Sequence, residues 1–259
     1  MVNIDAAWLS AWVAGLLLPL ARILSLVAIS PVFSHESVPA RVKIGLGVLL
    51  SVIVAPTLPA IGGFDPLSLS GVMLIVEQIV VGLAMGFAMR IVFAAVELAG
   101  EVSGMTMGLG FATFFDPTTQ GESMSLNQLL SLLTTLVFLA IDGHLILLAT
   151  LVRSFHDMPL DGAQHAPAAF WRIAQWGGHV FAAGVQLSLP IVAALLITNI
   201  ALGILTRAAP QLNLFGIGFP LTLTVGMVVL VLVLPTMAAP MVRLLEQGLT
   251  MSGEAMVGR

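Results

Sequence analysis

The chain has 259 residues, 59% of them apolar and only 8% charged, with no Cys and a net charge of −4. Mean hydropathy is +1.09, which leaves too few polar side chains to coat a water-soluble globule, and the hydrophobicity is too high for a disordered chain. The absence of Cys excludes a disulfide scaffold, and a negative balance with Lys43 as the only lysine excludes a nucleic-acid binder, so a polytopic membrane protein remains.

A membrane-spanning helix needs about 20 mostly apolar residues, and continuous apolar runs rather than alternation exclude a β-barrel. The fold class is therefore an all-α membrane protein with about six long apolar helices. The first stretch, Ala6 to Ile29, follows a start without Lys or Arg and is expected to be a retained helix rather than a cleaved signal peptide. Trp8 and Trp12 near its start, like Trp171 and Trp176 before the fifth stretch, suit the headgroup region, with core packing as the alternative. The second stretch, Val42 to Leu58, lies between Pro39 and Pro56–Pro59 and is short.

The third stretch, Gly71 to about Ser103, would be about 50 Å of helix, against a hydrocarbon core of about 30 Å. It must tilt, break or project beyond the bilayer. It also carries Glu77, Arg90, Glu97 and Glu101, each costing about 2.5–3.5 kcal/mol at the centre of a spanning helix. Arg90, Glu97 and Glu101 share one stripe, and Arg22 in the first stretch could answer one of the carboxylates. Three readings stay open: transporter charges that move a proton, charges that pair with other subunits or line a lumen, and a stripe solvated outside the bilayer. Gly82 and Gly86, then Gly100, Gly104 and Gly108, recur at four-residue intervals, a spacing at which another helix approaches closely.

The connector from Gly104 to Ser123 is apolar where connectors are usually polar, holding Met105, Met107, Leu109, Phe111, Phe114 and Phe115 among glycines. Such backbone at membrane depth is tolerated only when buried in protein or lining a cavity. It is expected to be a re-entrant loop between the third and fourth helices. Thioethers and aromatic rings form an adaptable seal, and glycines let it swing aside; a loop packed permanently between helices is the alternative.

The remaining stretches are Leu126 to Val152, about Val180 to Leu205 and Leu221 to about Ala239. With six spans the basic residues divide as Arg153, Arg172, Arg243 and Arg259 against Arg41, Lys43 and Arg207, which orients nothing. Pro31…Pro39 before a helix ending Pro56–Pro59 is echoed by Pro210…Pro220 before one ending Pro235–Pro240, as two hairpins with proline-bounded elbows would be. No zinc motif, nucleophile elbow or P-loop occurs, and the five His are scattered, so neither an enzyme nor a metal or cofactor is expected.

From about Leu20 to Met241 the chain resembles the FliR family, flagellar biosynthetic proteins of the bacterial type III export gate. The resemblance is carried by Ser30-Pro-Val-Phe33 with Ser37-Val-Pro-Ala-Arg41, by Glu77-Gln78 with Gly82 and Arg90, and by Met107-Gly-Leu-Gly-Phe111 with Phe115-Asp-Pro117. Asp142-Gly-His144, Ala201-Leu-Gly203, Arg207 to Asn213 and Gly218-Phe-Pro220 follow in order. The resemblance implies one subunit of a mixed inner-membrane assembly in the flagellar basal body. Its partners would be FliP-like and FliQ-like membrane subunits, an FlhB-like switch protein and unfolded export cargo. It also implies a FliP-like part over about 1–175 and a FliQ-like helical hairpin over about 176–259. The hairpin's elbow would hold Arg207, Pro210, Asn213 and Pro220, and a pore plug would map to about 104–120. The rival function is a stand-alone proton-coupled secondary transporter using the intramembrane Glu and Arg side chains.

Overall fold

The computed structural model describes residues 6–59, 65–109, 125–160, 167–208 and 218–254. Among these residues there are eight α-helices and no strand. They are α1 (Ala6–Ile29), α2 (Ala40–Val54, followed by a 3-10 turn Ala55–Thr57), α3 (Leu69–Met107), α4 (Ser125–Ala140), α5 (Gly143–Asp157), α6 (Pro167–Gly177), α7 (His179–Ala208) and α8 (Phe219–Glu254). A helix satisfies its own backbone hydrogen bonds, which is what an apolar surrounding demands. Its hydroxyls do the same locally: Ser51 donates to Gly47 O at 2.7 Å, Thr134 to Leu130 O at 2.7 Å and Thr198 to Ala194 O at 2.9 Å.

Among the described residues four helical stretches are long and apolar enough to cross a membrane: Ala40–Thr57, Leu69–Met107, Trp171–Ala208 and Pro220–Glu254. Ser125–Ala140 and Gly143–Asp157 together form a broken fifth. These four or five candidates do not confirm the expected count of about six; in α1 the apolar part whose side chains are described, Val13–Ile29, is too short to qualify. The expected fourth stretch breaks because Asp142 adopts φ 55°, a left-handed conformation that a helix interior does not accommodate. At the other end, Pro235 and Pro240 lie inside α8, which continues to Glu254 rather than stopping near Ala239. Apolar helices tolerate proline because neighbouring groups re-satisfy the freed carbonyls.

The helix α3 is 39 residues long, or about 58 Å, and starts before and ends after the expected stretch. Its most apolar window is 67% buried, against 17% to 33% for the other three candidate spans. It is thus the most buried of the four candidate spans, although Met73, Val76 and Phe87 leave part of its surface apolar and exposed.

The chain divides into two compact units. Unit 1 comprises Met1–Ile91, Asp142–Gly177 and Glu246–Arg259. In it α1 packs on the first part of α3 at Gly82 and Gly86. A Cβ at Gly82 would fall on Ser25 Oγ and the Arg22 carbonyl, and one at Gly86 on Ile29 Cγ2 and within 3.1 Å of Leu26 O. Gly47 brings α2 against Leu24 in the same way. The indole of Trp176 donates to Ala88 O at 3.2 Å, fixing α6 to α3.

Unit 2 comprises Val92–Ile141 and Gly178–Leu245. Its core joins Val96, Ala99 and Met107 of α3 with Leu126 and Leu130 of α4, Ile191 and Leu195 of α7, and Leu230 and Met237 of α8. Gly100 admits the α4 backbone: a Cβ there would stand 2.7 Å from Asn127 Cα. Gly184 likewise admits α3, at 2.9 Å from Ala95 O. Phe93 and Phe138 meet edge-to-face with ring centroids 6.1 Å apart.

Candidate functional site

The expected plug begins where α3 ends, in unit 2. Helix geometry extends through Met107, so Met105 and Met107 stand in the last turn of α3 rather than in a loop. Two residues apart on a helix, they face different ways. Met105 is 52% exposed, whereas Met107 is fully buried. The side chain of Met107 fills the place of the missing Cβ at Gly226 of α8, with its Cγ 2.6 Å, Cε 2.9 Å and Sδ 3.1 Å from that position. Gly108 then takes φ 89° and its amide donates to Met105 O at 3.0 Å, a left-handed glycine that turns the chain out of the helix. Leu109 is half-buried and packs against the unit 2 core. Phe111, Phe114 and Phe115 lie outside the described residues.

The charged positions separate by environment. Arg22 of α1 is fully buried in unit 1. Its Nε donates to Gln78 Oε1 at 2.8 Å, and its Nη2 donates to the same oxygen and to Met158 O at 3.0 Å. Its Nη1 donates to Ser154 O at 2.9 Å and Ser154 Oγ at 3.1 Å. The guanidinium carbon lies 4.5 Å from the ring centroid of Phe155. All five N–H directions of the guanidinium are met by neutral oxygens, and a π face takes up part of the charge. The cation thus ties α1 to α3 and to α5 with its following turn, through Gln78, Ser154, Phe155 and Met158. Glu77 and Glu97 are half-buried, and Arg90 and Glu101 are exposed on α3. Of the glycines, Gly82, Gly86 and Gly100 sit at close helix crossings within the chain, Gly104 is buried and Gly108 is half-buried.

In the expected elbow, Arg207 is exposed in the last turn of α7 and Pro220 is exposed at the start of α8. Pro210 and Asn213 lie outside the described residues. Sequence reading did not assign Gln78, Ser154 and Met158 to Arg22, nor Gly184 and Gly226 to the helix crossings of unit 2. Small residues inside the last two apolar stretches were the available signal for those crossings. Among the described residues no group of three or more His, Cys, Asp or Glu is placed to hold a metal ion.

Long apolar helices, glycine-mediated crossings and a buried, saturated arginine define a polytopic α-helical membrane protein. The model of the family described as bacterial export proteins, family 1, matches residues 13–248. The chain is 45% identical over 224 residues to the flagellar biosynthetic protein FliR of Pectobacterium carotovorum subsp. carotovorum, covering 86% of this chain and 85% of that one. It is 43% identical over 231 residues to FliR of Escherichia coli strain K12, covering 89% and 88%. FliR of Bacillus subtilis strain 168 is 31% identical over 218 residues, with 83% and 84% covered. The chain belongs to the FliR family of bacterial export proteins.

Proposed function

We propose that this chain is a non-enzymatic, channel-forming subunit of the flagellar type III protein export gate, through which unfolded flagellar proteins cross the bacterial inner membrane. The observation that carries the reading is the similarity to flagellar FliR proteins across most of both chains. The apolar segment over about 104–120 plugs the closed pore in this reading. Its support is the mixed composition of Met105 to Phe115 and an α3 terminus that presents Met105 while Met107 is held in the core. Residues of about 1–175 correspond to a FliP-like part and about 176–259, including α7 and α8, to a FliQ-like hairpin. FliP-like and FliQ-like subunits and an FlhB-like switch protein are its partners in the basal body. The many exposed apolar side chains on α2, α7 and α8, among them Ile53, Phe181, Ile197 and Leu232, support burial against lipid or other subunits.

The reading is tested by native mass measurement after co-expression with candidate FliP-like, FliQ-like and FlhB-like chains. A hetero-oligomer containing this chain is expected. A chain that purifies alone or as a homo-oligomer, and moves protons in vesicles, would favour the transporter instead.

A further inference from the structure

Within unit 1 a cleft of about 850 Å³ opens between α5 and the C-terminal end of α8. That is within the range of about 300–1,000 Å³ typical of small-molecule sites. Met85, Ile146 and Leu249 give it a hydrocarbon wall, while Arg153, Asp157 and Glu254 bring charge to it. Only 8% of the chain is charged, so three charged side chains around one cleft are a local concentration.

The outer face of α5 explains the level at which this cleft lies. Leu145, Ile146 and Val152 are apolar and exposed, and Arg153 and His156 follow as exposed polar groups. A membrane helix changes from apolar to charged on its outer face where it leaves hydrocarbon for the headgroup layer. The cleft spans that change, from Ile146 to Asp157.

Its charge pattern selects among headgroups. Arg153 Nε lies 3.4 Å from Asp157 Oδ2, and Glu254 adds a second carboxylate, so among the described residues one cation and two carboxylates line the cleft. A purely anionic headgroup would be repelled by the carboxylates, and a quaternary ammonium cannot donate hydrogen bonds to them. A primary ammonium beside a phosphate satisfies both signs. Ser252, in the cleft wall, is fully buried and its hydroxyl has no hydrogen-bond partner, which leaves a group available to a phosphate or glycerol oxygen.

We propose that this cleft is a binding site for a phospholipid with a primary-ammonium headgroup. Arg153 takes the phosphate, Asp157 and Glu254 take the ammonium, and Ile146 and Leu249 receive the first acyl carbons.

The test is native mass spectrometry of the full chain in its assembled complex, delipidated and titrated with phosphatidylethanolamine, phosphatidylglycerol or phosphatidylcholine. Phosphatidylethanolamine is expected to bind on the order of tenfold more tightly than the other two, the equivalent of one charge-assisted hydrogen bond. Glu254→Gln should erase that preference, Arg153→Gln should weaken binding of all three lipids alike, and His156→Gln should change neither. Gly253→Leu would project into the cleft, since a Cβ there already stands 3.2 Å from Thr150 Cγ2, and should abolish binding. This variant serves where a charge substitution prevents folding. Equal binding of the three lipids, or a preference that survives both Glu254→Gln and Gly253→Leu, overturns the proposal. So does a photo-crosslinker at Thr250 that captures a partner polypeptide instead of lipid.

Discussion

Two nitrogens of Arg22 on α1, Nε and Nη2, donate to a single oxygen, Oε1 of Gln78 on α3. A buried arginine usually meets a carboxylate, but here the acceptors are an amide oxygen, a hydroxyl and two backbone carbonyls. This arrangement leaves no guanidinium proton without a partner. Removing the acceptor should therefore be worse than removing the cation. Gln78→Leu strands two donors of a buried charge and is expected to destabilise by about 3 kcal/mol. Arg22→Met, which removes the charge and keeps an unbranched chain, should cost less. The double variant should cost less than the sum, read by thermal unfolding of the detergent-solubilised protein.

The glycine crossings make a graded prediction. At Gly82 a new Cβ meets the fixed Arg22 backbone, with its carbonyl carbon at 3.0 Å, whereas at Gly86 the nearest atom belongs to a side chain, the Cγ2 methyl of Ile29, and the nearest backbone atom is 3.1 Å away. Gly82→Ala should cost about 1–3 kcal/mol and Gly86→Ala less. Gly45 and Gly203 have nothing within 4 Å of a new Cβ. Alanine there should be neutral or stabilising by up to about 1 kcal/mol in the same unfolding assay, because it favours the helix.

Met105 and Met107 should separate stability from sealing. Met107→Ala empties a fully buried site and is expected to cost about 2–5 kcal/mol. Gly226→Ala should also destabilise, because the new methyl group overlaps Met107 Cγ, and adding Met107→Ala should relieve that overlap. A double-mutant cycle on melting temperature measures the coupling. Met105→Ala removes an exposed side chain and should leave melting nearly unchanged. If the proposed plug is correct, it should nevertheless raise ion leakage through the closed gate.

An exposed carboxylate on a largely apolar helix invites a partner. If Glu101 pairs with another subunit, Glu101→Leu should weaken assembly by about 2 kcal/mol or more, lowering the yield of co-purified complex. An unchanged yield would return Glu101 to a solvated stripe.

Hydrophobic length made α1 and the excess length of α3 readable from the chain alone. The break at Asp142 was only half readable: Asp142-Gly-His144 allowed a helix interior or a break, and the surrounding run has a composition that suits a single spanning helix. The prolines of α8 misled for the opposite reason: their stop signal belongs to water, where a freed carbonyl has no helical neighbour to repair it. At Arg22 the charge was visible but its neutral acceptors were not. Gln78, Ser154 and Met158 are distant in sequence, and two contacts are to backbone oxygens that no residue type advertises. Met107 was assigned to the connector by its glycine-rich surroundings, yet the notch at Gly226 holds it in the core.

In the proposed function, the apolar segment of this FliR-family chain seals an export channel. The most direct measurement is ion flux across membranes carrying the co-expressed gate, with Phe111, Phe114 and Phe115 replaced by Gly or with Met105 to Phe115 deleted. The account predicts an assembled gate that leaks ions while the unmodified gate stays tight. A deleted form that assembles, remains ion-tight and still secretes normally would contradict it.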